Sequence, residues 1–257
     1  MGAADSSGQS ARSGQRSRCA SAAPDGRTLY MAIASTFTAL PQSQPDLPFK
    51  VTEFVPIGFV GEVPMAIATV PALPVNSLPE LIAYSKGQSG GLNVEITRGG
   101  VPHMSTELFR RRSGADLTYV FYPGSSQAMS DVISGRVPII VDGLGGPIAA
   151  GQLKLLAIAS AERVALHSDI PTVAETLPGF VATGWVVLVA PPGTSADAVK
   201  KISDDLNAVL ARAEVRQKLN ALGVSTRQMS PQQLSEFIHR EQELWNPVVK
   251  QIGIAAQ

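Results

Sequence analysis

The 257-residue chain contains one cysteine, Cys19. That excludes an intrachain disulfide and a thiolate zinc site. Its three histidines, His103, His167 and His239, lie far apart and share no ligand spacing, so neither a metal nor a cofactor is expected. Aromatic residues make up 5% of the chain, too few for base-stacking platforms. The 21 basic residues are balanced by 21 acidic ones, and no basic run past Arg27 exceeds the three arginines 110–112, so nucleic acid is not an expected partner. No stretch of about 18 apolar residues exists, the length a membrane-spanning helix needs. Met1 to Ala23 is small and polar, with Arg12, Arg16 and Arg18 but no apolar h-region. It reads as disordered, and without a signal peptide the export of the chain as written is in doubt. There is no G-x-G-x-x-G and no G-K-[ST], and the one G-x-S-x-G, Gly87–Gly91, follows a helix pattern and precedes a strand, which leaves nucleotide binding without a motif and the hydrolase elbow without its strand-to-helix turn.

What is present is an ample apolar content, 44%, and an alternation of strand and helix patterns. Strands are expected over Thr28–Ala34, two apolar runs of Phe54–Val70 split at Gly61–Pro64, Leu92–Thr97, Leu117–Tyr122, Val137–Val141, Leu153–Ser160 and Trp185–Ala190. Thr36–Thr52, rich in Pro, Gln and Ser, reads as loop with at most a short helix. A capping box at Ser77–Glu80 opens a helix to Lys86, a second at Ser230–Gln233 opens the last helix, and Asp197 completes a cap at Thr194. The alternation predicts an α/β fold of parallel sheets covered on both faces.

One stretch, Leu92 to Phe109, organises the rest. Six strand-like residues lead into Thr97, Arg98, Gly99 and Gly100. Pro102 then suits a first helical position, where its missing N–H costs nothing. Strand, glycine turn and helix start make an anion site, because the first amides of a helix lack internal partners and the helix dipole is positive there. Pro123–Ser126 turns into another helix in the same way, with Ser125 explained equally well as an ordinary N-cap. Asp142 ends a strand on the ligand side of a parallel sheet, where it could hold an ammonium group or ordered water. Glu107 reads as a solvated helix residue, and Leu234, Phe237 and Trp245 as core.

From Ala23 onward the sequence resembles the substrate-binding receptors of tripartite tricarboxylate transporters, the Bug receptors. The matching pieces are Ala23–Leu29 (APDGRTL), Leu73–Tyr84 (LPVNSLPELIAY), Gly99–Phe109 (GGVPHMSTELF), Tyr122–Ser125 (YPGS), Asp169–Glu175 (DIPTVAE), Pro178–Phe180 (PGF), Trp185 with Ala190–Thr194 (APPGT), and Glu243–Trp245 (ELW). They keep family order over roughly nine tenths of the chain. The resemblance implies a periplasmic receptor of the two-lobe type II periplasmic-binding-protein fold, monomeric and without catalytic residues. Such a receptor traps a small organic carboxylate in a cleft between lobes and delivers it to the membrane permease subunits of the transporter. It places lobe one at residues 23–71 and 186–257 and lobe two at 72–185, with residues 1–22 a disordered or aberrant segment. The implied ligand-binding residues are Thr97, Arg98, Gly99, Gly100, His103, Gly124, Ser125 and Asp142. Arg98 stands where the family favours small residues, and would contact the carboxylate or point into solvent. His103 would donate to the carboxylate or cap its own helix.

The family also carries a first strand, a glycine-rich carboxylate loop and a first helix ahead of the Ala23 motif, which this sequence is expected to lack. Losing two charge-assisted hydrogen bonds from that loop would weaken binding by about 3–6 kcal/mol. The alternative reading is therefore a truncated remnant with weak or no ligand binding. A hydrolase using Ser105 or Ser125 with a histidine is a more distant third.

Overall fold

The computed structural model describes residues 14–253. In chain order the elements are α1 (residues 14–20), β1 (Tyr30–Ile33), α2 (Ala34–Thr38), α3 (Leu40–Ser43), β2 (Val55–Thr69), α4 (Leu78–Lys86), β3 (Leu92–Thr97), α5 (Val101–Ser113), β4 (Leu117–Tyr122), α6 (Ser125–Ile133), β5 (Ile139–Gly143), α7 (Gly146–Ala149), β6 (Lys154–Ile158), β7 (Thr183–Ala190), α8 (Ala196–Leu210), α9 (Ala213–Ala221) and α10 (Pro231–Ile252). They form two compact units. Val63–Gly184 makes the second, and the residues on either side of it make the first. The division cuts β2 after Glu62 and β7 before Trp185, whereas the sequence reading placed the first crossing at Pro71–Ala72.

In the first unit β7 lies between β1 and β2, and β1 pairs with β7 antiparallel. Ile57, Ala190 and Val199 form a buried cluster with Val55, Leu188 and Ile202 against it. Beside them Phe37 stacks on Trp185 at 5.8 Å, and Phe237 meets Trp185 edge-on at 5.3 Å. Residues 14–20 are helical, with Cys19 1% exposed, so the expectation of disorder through residue 22 is corrected over that stretch. Arg16 and Cys19, three apart on one helical face, both turn inward. The rest of that expectation, residues 1–13, lies outside the described residues. Thr36–Thr52 holds more helix than expected, in α2, α3 and a 3₁₀ turn at Val51–Glu53.

The break expected at Gly61–Pro64 is also corrected, because β2 runs through it as one strand of 15 residues. Its glycine answers a close approach rather than a turn. A Cβ at Gly61 would meet Val224 at 2.5 Å and the Ser225 carbonyl at 3.0 Å. There Glu62 and Ser225 exchange backbone bonds of 2.8 and 2.9 Å. Pro64 donates nothing to the ladder, but its carbonyl accepts from the Leu144 amide at 2.9 Å.

In the second unit the strand order is β2–β5–β3–β4, with β6 on the other side of β2. β3 pairs parallel with β4 and β5, while β2 pairs antiparallel with β5 and β6. The sheet is therefore mixed. β2, the strand shared with the first unit, runs opposite to the parallel set of β3, β4 and β5. Residues opposite one another in β3 and β4 share a face. On one face Tyr119 and Phe121 meet the His103 ring of α5 edge-on at 6.3 and 6.1 Å. On the other, Tyr122 donates to Asp131 of α6 at 2.7 Å. Thus α5 and α6 cover opposite faces of β3–β4.

The caps follow the local sequence. Ser77 accepts from the Glu80 amide, and Ser230 and Gln233 form a reciprocal box. The cap expected at Thr194 is corrected by one residue. Ser195 accepts from Ala198 N, while the buried Thr194 hydroxyl donates to the Pro191 carbonyl at 2.9 Å.

Candidate functional site

The parallel strands β4, β3 and β5 each end in a glycine-bearing turn that starts a helix. α5, α6 and α7 begin at Gly100, Gly124 and Gly145, and none of the three has a side-chain cap. The helices α4, α8 and α10, by contrast, are capped by serine hydroxyls. A serine cap satisfies a first-turn amide internally, whereas a glycine cap leaves those amides to an outside acceptor. For α5, Val101 and His103 supply such amides, and Pro102 at the second helical position has none. Gly124 being the cap also corrects the alternative reading of Ser125 as one; Ser125 is the first helical residue of α6.

Gly99 has φ 73°, a left-handed conformation that costs an L-residue about 1–2 kcal/mol. Its amide donates to His103 Nδ1 over a long 3.4 Å. Accepting at Nδ1 places the imidazole proton on Nε2, so His103 is neutral. Burial depresses its pKa, Glu107 opposes that, and Arg98 adds to it. His103 therefore holds the Gly99 turn through Nδ1 and keeps Nε2–H as a donor, and the Gly99 amide is removed from the outward-facing set.

Thr97 is half-buried and donates to Glu95 Oε1 at 2.7 Å. Arg98 is exposed and lays its guanidinium over the Phe121 ring at 3.8 Å, on the α5 face of the sheet. Asp142, half-buried at the end of β5, accepts from the Gly143 amide at 2.8 Å. Thus Thr97, Gly99, Gly100 and His103 come together on the β3–α5 turn. Gly124 and Ser125 form the adjacent β4–α6 turn, since Thr97 stands opposite Tyr122 in the ladder. Arg98 is drawn off onto Phe121. A cavity of about 860 Å³ opens in the first unit, lined by Val55, Val199, Ser203, Asn207, Met229 and Gln233 among others. None of the sequence-predicted site residues reaches it.

Two acids escaped the sequence reading. Glu95 is 0% exposed and sits beneath the β3–α5 turn, on the α6 face. Burial raises its pKa to about 7, with the Thr97 hydroxyl opposing and Asp142 reinforcing. Its Oε2 has no hydrogen-bond partner. The one sequence signal for it is an acid in the polar half of a strand alternation, between Asn93 and Thr97. Glu107, expected to be solvated, is 3% exposed. It accepts from Arg110 at 3.0 and 3.1 Å, and also from Arg111 and Tyr119.

Residues 12–254 match the sequence family described as the tripartite tricarboxylate transporter family receptor. Protein BugT of Bordetella pertussis is 34% identical over 241 residues, spanning 91% of this chain and 74% of BugT. Among solved structures, a protein of R. palustris with adipate superposes with a TM-score of 0.85 at 28% identity, covering 95% of this chain and 84% of that one. MatC from Rhodopseudomonas palustris with bound malate gives a TM-score of 0.78 at 29% identity, covering 92% and 84%. The periplasmic binding protein BugD gives 0.80 at 27% identity, covering 94% and 83%. The fold is that of these type II periplasmic binding proteins.

Proposed function

This chain belongs to the tripartite tricarboxylate transporter receptor family, and on that premise we propose that it captures a small organic carboxylate at the β3–α5 turn. The observation that carries the reading is the pair of glycine-capped helix starts, Gly100 of α5 and Gly124 of α6, at the ends of neighbouring parallel strands. Neither start has a side-chain cap from its glycine, and each presents the positive end of a helix dipole. The ligand carboxylate accepts from the first-turn amides of α5, while Thr97 and the α6 start line its flank. Asp142, itself an acid, meets the ligand through ordered water. Adipate and malate in the two R. palustris structures set the scale of the ligand as a short dicarboxylate.

The receptor works as a monomer in the periplasm and passes its ligand to the permease subunits of the membrane transporter, with no chemical step. Among the described residues no helix is long and apolar enough to cross a membrane. A hydrolase would need a reachable nucleophile, and Ser105 is 0% exposed inside α5.

Titration calorimetry with adipate, malate, citrate and benzoate tests the reading. At least one is expected to bind at one site per chain without being turned over. Silence from all four up to millimolar concentration would favour the remnant reading instead. Gly99→Ala is expected to weaken whichever ligand binds by about tenfold. The substituted turn relaxes away from positive φ in the free protein, and restoring it costs about 1–2 kcal/mol. Unchanged affinity in this variant would remove the turn from the site.

A further inference from the structure

The fully buried carboxyl of Glu95 lies two residues before the anion turn, with one oxygen bonded to Thr97 and the other without a partner. Val94 and Ile96, its neighbours in β3, turn to the α5 face and are themselves 0% exposed. On the α6 face the charged and titratable groups around Glu95 are accounted for. Thr97 of its own strand donates to Oε1. Asp142 of β5 is a second acid whose charge opposes ionisation of the first. Tyr122 of β4 donates to Asp131 of α6, and Asp131 takes its cation from Arg136 at 2.7 Å. From the β3–α5 turn, Arg98 is stacked on Phe121 and His103 is neutral on the Gly99 amide. Among the described residues no cation pairs with Glu95, and Oε2 is buried without a partner. An ionised carboxylate in that position is uncompensated, whereas a neutral acid is not.

We propose that Glu95 is a proton-linked positioning residue: the β3–α5 turn takes the ligand's carboxylate when Glu95 is a neutral acid and repels it when Glu95 is ionised. The inference rests on the receptor reading above. Two effects act in the same direction. An anion on the turn places a negative charge close to Glu95 and disfavours its ionisation. A neutral Glu95 can also donate its own proton to Thr97 Oγ1, so the threonine hydroxyl hydrogen no longer has to serve Glu95 and can turn towards the bound anion. Capture of the carboxylate then takes up a proton at neutral and alkaline pH. Half of the free protein has lost that proton near pH 7, so affinity follows the fraction of molecules with Glu95 protonated.

The test uses the whole chain with adipate and malate as probes, from about pH 6 to about pH 8.5, where ordinary carboxylates stay ionised. Wild-type affinity is expected to fall by about thirtyfold across that range. Calorimetry in two buffers of different ionisation enthalpy is expected to show uptake approaching one proton per ligand at the upper end. Glu95→Gln mimics the neutral acid and can donate to Thr97. It is expected to bind with no dependence on pH, and more tightly than wild type at the alkaline end. A wild-type affinity flat in pH with no proton uptake overturns the inference while leaving the receptor intact. A pH slope retained in Glu95→Gln assigns the proton to another group and overturns it equally. Failure of both probes at every pH, with the other carboxylates also silent, overturns the receptor reading and this inference with it. Should Glu95→Gln melt well below wild type, the wild-type proton count alone decides.

Discussion

Trp185→Ala is expected to lower the stability of the first unit by about 3–5 kcal/mol, the usual cost of deleting a buried large aromatic ring. Trp185 is 1% exposed and stands at the first residue of β7 belonging to that unit. Its ring is held between Phe37 and Phe237, and Phe237 meets Phe59 edge-on at 5.5 Å. Its indole N–H donates to Glu241 Oε2 at 2.8 Å, an oxygen that Trp245 also serves at 3.2 Å. Burial already raises the pKa of Glu241 and the two indoles oppose that rise, so removing one donor leaves a buried acid less satisfied as well as opening a cavity. The urea midpoint checks this, with an unchanged slope showing that the unfolding reaction is the same. Trp185→Phe separates the two contributions. It keeps one ring against Phe37 and Phe237 and loses the donor with part of the ring volume, for about 1–3 kcal/mol. A shift below about 1 kcal/mol for Trp185→Ala would mean that the neighbouring rings close the gap.

Glu107→Gln is expected to cost about 2–3 kcal/mol at neutral pH. The side chain is 4% exposed and bonded to Arg110 and Arg111, which are 41% and 38% exposed, with Tyr119 as a further donor. Burial pulls its pKa up, but the bonds from Arg110, Tyr119 and Arg111 outweigh that and hold it at about 2. The sign follows from linkage. A carboxylate whose folded pKa is depressed contributes stability that is fully present above its unfolded value, and that stability is lost as pH falls through the folded one. Urea unfolding at pH 7 should therefore separate wild type from Glu107→Gln by the full amount. The gap should narrow steadily between about pH 4.5 and about pH 2. A gap that stays constant across that interval would show that the loss comes from shape and not from charge. Because Glu107 sits one turn beyond His103 on α5, Gln at this position also removes the group that opposes depression of the His103 pKa. His103 is neutral already, so the Gly99 turn should survive the substitution.

Much of the anion turn was legible in the sequence because its causes are local. Leu92–Thr97 alternates, glycines follow, and Pro102 occupies the first helical turn, so strand, turn and helix could be placed to within a residue or two. The serine caps at Ser77 and Ser230 are equally local, since each bonds an amide three residues on. The ordered motifs from Ala23 to Trp245 carried the family. Contacts from far along the chain were not legible. Gly61 and Pro64 read as a break, and only the approach of Val224 and Ser225 shows why a glycine stands in an unbroken strand. The direction of β2 was misread because direction depends on the route of the chain and not on composition.

The two acids mark the boundary between the two kinds of information. Alternation states that Asn93, Glu95 and Thr97 share a face of β3, but it does not state what covers that face. Asn93 is exposed and Glu95 is sealed because α6 lies over one end of the strand and not the other. Helical spacing likewise puts Glu107 one turn from His103, yet Tyr119 of β4 is what turns a surface carboxylate into a buried one. The sequence determined the elements, their caps and the turn that faces an anion, since each rests on bonds between residues a few positions apart. The tertiary structure decided which charges are buried, because desolvation and pairing depend on the neighbours that packing brings together.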